Sequence, residues 1–159
     1  MKKLLIAAML LGVPGLAAAQ TPGGRQYVRM AGASDQYEIQ SSRLVLATTR
    51  NPALRRFAEQ MIRDHTTSTA EVKAAARQGR IMAPPPALDA MGARNIAALR
   101  QARGPARDAL YIQQQKKSHE MALDLQQDYA AHGDVRPLMR TAATIVPVVQ
   151  HHIGELSRM

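Results

Sequence analysis

The sequence contains no cysteine and no tryptophan, and its only aromatic residues are one phenylalanine and four tyrosines among 159 residues. Without cysteine, the chain cannot form a disulfide, a thiolate metal site or a cysteine nucleophile. So few large aromatic side chains argue against the core of a β-sandwich or β-barrel. The abundant Ala, Leu, Met, Arg and Gln residues instead favour helices. We therefore expect one all-α domain.

The segment 1–19 has the pattern of a secretory signal peptide. Lys2 and Lys3 precede an apolar run, 4–13, and the alanines 17–19 form a small-residue cleavage site. The apolar run is too short to span a bilayer. We expect an exported protein that is periplasmic or associated with the outer membrane.

The formal net charge is +9, which raises the question of a nucleic-acid partner. The basic residues are spread along the chain and few aromatic side chains are available to stack on bases, so nucleic acid is not expected. An anionic envelope surface is the more plausible partner for a basic exported domain. The sequence leaves the oligomeric state open.

The positions of proline and glycine, which mark helix ends, predict a flexible lead-in, 20–25, and one helical domain, 26–158. Four long helices and one short one, 87–103, are expected, with Pro52 in the first turn of the second helix and Asp134 capping the last. The long helices are predicted at 26–49, 52–78, 105–131 and 134–158. Tight turns make the first and last pairs antiparallel hairpins, and the long connection between them carries the short helix. That arrangement is typical of a ferritin-like four-helix bundle.

Three histidines interrupt the apolar stripes of three predicted helices. His65, His119 and His152 each occupy a position at helical spacing from buried-type residues. Glu38 lies in the middle of the small, polar face of the first helix. Glu38 precedes the turn at Asn51 by nearly the same length of chain as His65 follows it. A hairpin that turns at Asn51 is therefore expected to place Glu38 beside His65.

These groups predict a metal site in the interior of the bundle. Three imidazoles with Glu38 suit one Zn or Cu ion, and Asp64 is a candidate fifth ligand or an acceptor behind a ligand. A di-iron site is disfavoured, since no Glu stands at the i−3 position of any of the three histidines. We expect metal buffering or stress tolerance as the function.

The alternative function is a non-catalytic envelope structural or interaction protein, in which the same residues form a hydrogen-bond network in the core. An enzyme is the least favoured class, because the sequence contains no nucleophile elbow, zincin motif or phosphate loop. The nine methionines are dispersed, without the Met-rich run expected of a Cu(I) site, and are interpreted as core filling.

One specific segment, FAEQMIRDHT at 57–66, occurs together with the segments 38–39, 108–112 and 117–120 and the pair Pro147 and His152. These segments resemble the exported bacterial domain-of-unknown-function family 4142. The resemblance implies a ferritin-like bundle in the periplasm or outer membrane, without an agreed activity. Its characteristic positions correspond to Glu38, Asp64, His65, Tyr111, His119, Pro147 and His152. Arg107 departs from the family pattern, which usually has Phe there.

Overall fold

Five helices account for most of residues 20–159, the part of the chain that the computed structural model describes. They are α1 (Gly24–Leu46), α2 (Pro52–Gln78), α3 (Ala90–Gln101), α4 (Gly104–His132) and α5 (Arg136–Leu156). No strand occurs in this range. The all-α prediction is therefore confirmed, while the expected signal peptide, 1–19, lies outside the described residues.

Helices α1 and α4 are neighbours that run in opposite directions. Near the start of α1, Tyr27 donates to Gln126, and near its end Ser42 bonds Tyr111. Residue numbers thus rise along α1 while those of their partners fall along α4. The two turns make α1 with α2 and α4 with α5 the most extensively packed pairs.

Helices α2 and α5 also run in opposite directions. Leu54 and Leu156 share one apolar cluster, whereas Val72 and Leu138 share another. All neighbouring pairs around the bundle are therefore antiparallel, and the connection from α2 to α4 must travel the length of the bundle. This single long crossover, which carries α3, matches the expected topology. The narrower assignment to the ferritin-like group stays a prediction.

Two apolar clusters fill the ends of the bundle. The first contains Tyr27, Val28, Ala31, Val72, Ala75, Ala76, Ala122, Tyr129, Leu138, Ala142, Ile145 and Val149. The second contains Val45, Leu54, Phe57, Met61, Leu99, Tyr111 and Leu156. Because His65, His119 and His152 lie between these groups along their helices, the polar side chains form a layer enclosed by apolar ones.

The turn from α1 to α2 follows its sequence signals. Asn51 accepts hydrogen bonds from the backbone N–H groups of Ala53 and Leu54, and Pro52 occupies the first turn of α2. The amide cap satisfies two donors that have no partner within the helix, and proline has no N–H to lose there. The sequence prediction of this helix start is confirmed.

Asp134 does not cap the last helix, so that prediction is wrong. Helix α5 begins at Arg136 after Val135, which provides no side-chain cap. The Asp134 carboxylate instead accepts from the backbone N–H of Gly24 and from the hydroxyl of Tyr129. It therefore satisfies the first turn of α1 across the bundle rather than its own helix.

Other helix ends differ from expectation by a few residues. Helix α1 spans Gly24–Leu46 instead of 26–49, so it takes in the end of the expected lead-in. Helix α3 begins at Ala90, where Asp89 accepts from the N–H of Gly92. Among residues 20–159, no helix is both long and apolar enough to traverse a membrane.

Candidate metal centre

The imidazoles of His65, His119 and His152 come together at the middle of the bundle. One ring nitrogen from each lies within 4.8 Å of the other two, and all three residues are buried. They come from α2, α4 and α5, so no local sequence motif joins them. The Nε2 atom of His119 and the Nδ1 atom of His152 are 3.3 Å apart.

Side-chain direction explains how His119 and His152 meet despite unequal spacing from their turn. His119 is nearer to the end of α4, at His132, than His152 is to the start of α5, at Arg136. Every Cα–Cβ bond in a helix tilts towards the helix N-terminus. The His119 side chain therefore leans away from the turn and the His152 side chain leans towards it, which offsets a difference of about 4.5 Å along the axis.

Hydrogen bonds fix the tautomers of His119 and His152. The Nδ1 atom of His119 is 2.9 Å from the carbonyl oxygen of Gln115, which only accepts, so Nδ1 carries the hydrogen. The Nε2 atom of His152 is 2.9 Å from Asp64 Oδ2 and donates to that carboxylate. In the neutral rings, Nε2 of His119 and Nδ1 of His152 then face each other with lone pairs and no hydrogen between them.

His65 is oriented in the same way by a carboxylate on α1. Its Nδ1 atom lies 2.8 Å from Asp35 Oδ1, and Thr69 donates to the other oxygen of Asp35. Its Nε2 atom is buried and has no hydrogen-bond partner within residues 20–159. An orphaned buried nitrogen with a lone pair is costly unless something occupies the space before it.

The surroundings keep two of the three imidazoles ready to bind a cation at neutral pH. Burial lowers the pKa of His119, and burial also lowers the pKa of His152, to about 4. For His65, burial acts in the same direction, but the hydrogen bond and charge of Asp35, together with the charges of Glu38 and Asp64, outweigh it and raise the pKa. Metal ligation requires neutral imidazole, so His119 and His152 need not lose a proton to bind.

Glu38 and Asp64, the two carboxylates predicted from the sequence, lie behind the histidines. Glu38 Oε1 accepts from Ser118 at 2.6 Å and is 3.8 Å from Nδ1 of His119, the nitrogen that faces away from His152. Glu38 Oε2 is buried without a partner in the described chain. Asp64 contacts the cluster through the outer nitrogen of His152. The three-nitrogen group therefore includes neither carboxylate.

The contact of Asp35 with His65 was not predicted, because positions along the hairpin were counted from Asn51 and not from the ends of the two helices. Helix α1 ends at Leu46 and α2 begins at Pro52, so the segment 47–51 separates the two helices. Measured from these ends, Asp35 on α1 is nearly level with His65 on α2. The sequence does contain a feature that could have indicated this contact, since Asp35 lies one turn before Glu38 on the same face of α1.

A cavity of about 200 Å³ adjoins the cluster. His65 and His152 line it, together with Asp35 and Asp64. Asp64 is partly exposed, with 34% of its side-chain area accessible, so it stands between the buried nitrogens and the solvent. The remaining histidines, His132 and His151, are exposed.

The chain matches the family model described as Domain of unknown function (DUF4142) over residues 13–159. It belongs to this family. The resemblance inferred from the sequence segments is therefore confirmed. No curated protein matches the chain.

This DUF4142 protein is similar in fold to several solved structures. A DUF305 fragment from Deinococcus radiodurans has a TM-score of 0.71 at 17% identity, covering 87% of this chain and 98% of that one. CopM in the Cu(I)-bound form has a TM-score of 0.70 at 19% identity, covering 86% and 94%. A DUF305 protein from Streptomyces coelicolor has a TM-score of 0.70 at 15% identity, covering 85% and 88%. At these identities the likeness establishes the shared helical fold.

Proposed function

We propose that this protein binds a single copper ion through Nε2 of His65, Nε2 of His119 and Nδ1 of His152. The observation that carries the proposal is the convergence of one ring nitrogen from each of three buried imidazoles. Two nitrogens on a tetrahedral metal at about 2.0–2.1 Å are about 3.4 Å apart. The 3.3 Å separation of the His119 and His152 nitrogens fits that geometry. A ring nitrogen of His65 lies within 4.8 Å of both and would complete the set.

The outer hydrogen bonds support a metal role for each ring. In metal sites, a ligating histidine almost always donates its other N–H to a carboxylate or a carbonyl. His65 has Asp35, His152 has Asp64, and His119 has the carbonyl of Gln115. We place Glu38, a ligand predicted from the sequence, behind the coordinating histidines. There its negative charge favours a bound cation without contacting it.

Copper is favoured over zinc by its higher affinity for nitrogen ligands. Imidazole nitrogens accept both ions, but a given nitrogen site binds Cu²⁺ more tightly than Zn²⁺. The fold likeness to CopM, described in Cu(II)-, Cu(I)- and Ag-bound forms, is consistent with this choice. We further propose export, supported by the signal-like segment 1–19, and a role in copper buffering or tolerance outside the cytoplasm.

The test is Cu²⁺ titration of the purified protein against a competing chelator, with Zn²⁺ titrated in parallel. Changing His65 and His119 together to Ala should abolish binding while leaving the far-UV circular dichroism of a helical protein. The matched control changes His132 and His151 to Ala, which removes two exposed histidines and leaves the cluster intact. Binding at one ion per chain in the His65/His119 variant would overturn the proposal. Tighter binding of Zn²⁺ than of Cu²⁺ would replace copper with zinc.

A structural and interaction protein is the second candidate, favoured by the hydrogen bonds that the layer already makes without a metal. In that case a proton occupies the contact between His119 and His152. It predicts that histidine substitutions lower stability equally with and without copper. It also predicts that the basic exterior binds anionic vesicles in a salt-sensitive way.

A further inference from the structure

Three methionines that are far apart in the sequence line one cavity of the fold. Met30 of α1, Met91 of α3 and Met121 of α4 surround a space of about 110 Å³. The sequence interpretation of dispersed, core-filling methionines therefore does not hold for these three. They gather where the crossover helix covers the groove between α1 and α4.

The exposure of these side chains is unusual for core filling. Among residues 20–159, five large apolar side chains are exposed, and four of them are methionines. Met30 and Met121 are each 43% exposed, and Met91 is half-buried beside them. The side chains of all three methionines thus line one cavity, and Met30 and Met121 are too exposed to act as core filling.

The charge around the cavity favours a cation. No Lys, Arg or His is among its lining residues in the described chain, although the protein carries a formal net charge of +9. The polar groups that line it are neutral or acidic: Ser34, Tyr37, Asp89, Asn95 and Ser118. The site therefore offers methionine side chains as soft donors, with no positive side chain among its lining residues.

We propose that this methionine cavity is a second metal site, selective for a soft monovalent ion of the Cu(I) or Ag(I) type. Thioether ligands select Cu(I), whereas imidazole also accepts divalent ions. The sulfurs carry no proton near neutral pH, so binding here is insensitive to mild acid, unlike binding by histidine. The proposal does not depend on the histidine cluster.

The position of the cavity relates the two sites. Ser34, Ala122 and Leu125 line both the methionine cavity and the larger cavity beside His65 and His152. The side chains of these three residues thus lie between the two cavities. A monovalent ion bound by the methionines would lie on the opposite side of these residues from the buried histidine nitrogens.

The test is NMR titration of the methyl-¹³C-methionine-labelled protein with silver nitrate in chloride-free buffer. Silver(I) is diamagnetic and not oxidised, so it reports soft-ligand binding directly. The first equivalent should shift the methyl signals of Met30, Met91 and Met121, while those of the exposed Met82 and Met159 stay in place. Equal shifts at Met82 and Met159, or no shift at the three through three equivalents, would refute the site.

Variants separate this site from the histidine cluster. Changing Met30, Met91 and Met121 to Leu should weaken silver binding by at least about tenfold, whereas changing Met82 and Met159 to Leu should not. In the His65→Ala, His119→Ala background, and at pH 5, the three methyl signals should still respond. Loss of that response in the histidine variant would place the silver in the imidazole cluster and refute the methionine site. The copper proposal has a separate test, because it fails if the His65→Ala, His119→Ala variant still binds Cu²⁺.

Discussion

The bundle contains two buried layers with hydrogen-bonding side chains, one around two tyrosines of the first apolar cluster and one around the three histidines. In the tyrosine layer, the rings of Tyr27 and Tyr129 stack at 3.9 Å with an interplanar angle of 11°. Their hydroxyls donate to Gln126 and Asp134. In the histidine layer, by contrast, buried acceptor atoms of Glu38, His65 and Gln115 lack partners within residues 20–159.

Under the proposed function, this difference separates a layer whose polar groups are satisfied within the protein from one whose unpartnered atoms would be satisfied by a metal ion. Burial raises the pKa of Tyr27 and Tyr129, so both hydroxyls remain neutral donors with fixed acceptors. A satisfied buried network adds rigidity, whereas an unsatisfied one costs free energy until a proton, water or metal fills it. Metal should therefore stabilise the histidine layer and leave the tyrosine layer unchanged.

The largest expected effect is on the tyrosine layer. Changing Tyr129 to Ala removes a fully buried, stacked ring and should lower the free energy of unfolding by about 3–5 kcal/mol. Tyr129→Phe keeps the ring and loses only the bond to Asp134, so it should cost about 1 kcal/mol. Urea denaturation of the metal-free proteins measures both. Equal losses in the two variants would contradict the role of the stack.

Copper should stabilise the protein through the histidine layer alone. With free Cu²⁺ at about 100 times the dissociation constant, the free energy of unfolding should rise by about 2.7 kcal/mol. Tyr129→Phe should gain as much as the wild type, and the His65→Ala, His119→Ala variant should gain nothing. Denaturation with and without copper gives these increments. A smaller increment in Tyr129→Phe would mean that the two layers are coupled.

Asp35 provides the next comparison, because it orients a proposed ligand without contacting the metal. Asp35→Asn should weaken Cu²⁺ binding by about 10–100-fold, since the ring of His65 loses a charged acceptor. Asp128→Asn is the matched control: Asp128 bonds the exposed His132 at 3.0 Å, outside the cluster. Chelator competition measures both affinities. Equal affinities in the two variants would remove Asp35 from the site.

The fold was largely predictable from the sequence because its signals are local. Pro52, the Asn51 cap and the glycines mark the helix ends within a few residues, and connection lengths give the crossover. The apolar stripes also place the three histidines of the cluster on inward faces. The contacts of those faces depend on the helix ends and on Cβ tilt, which is why Glu38 was paired with His65 in place of Asp35. Asp134 could not be assigned from sequence, since one of its partners, Gly24, is far away in the chain.

The smallest expected effect is the most informative about Glu38. Glu38 is 1% exposed, with one oxygen held by Ser118 and the other unpaired in the described chain. Glu38→Gln keeps the shape and the acceptor for Ser118 but removes an acidic group from the interior. We expect the metal-free protein to gain about 1 kcal/mol of unfolding free energy, opposite in sign to the tyrosine variants.

The Glu38→Gln variant also tests whether Glu38 coordinates the metal, as its sequence position predicts, or lies behind the coordinating histidines, as its contacts favour. Loss of a ligand should weaken Cu²⁺ binding by more than about 100-fold, whereas loss of a residue behind the ligands should weaken it by less than about 100-fold. Ser118→Ala is the control, because it removes the hydroxyl that holds Glu38 without changing any charge. A loss of more than about 100-fold in Glu38→Gln with little change in Ser118→Ala would place the carboxylate on the metal. The copper site would then contain three nitrogens and one oxygen.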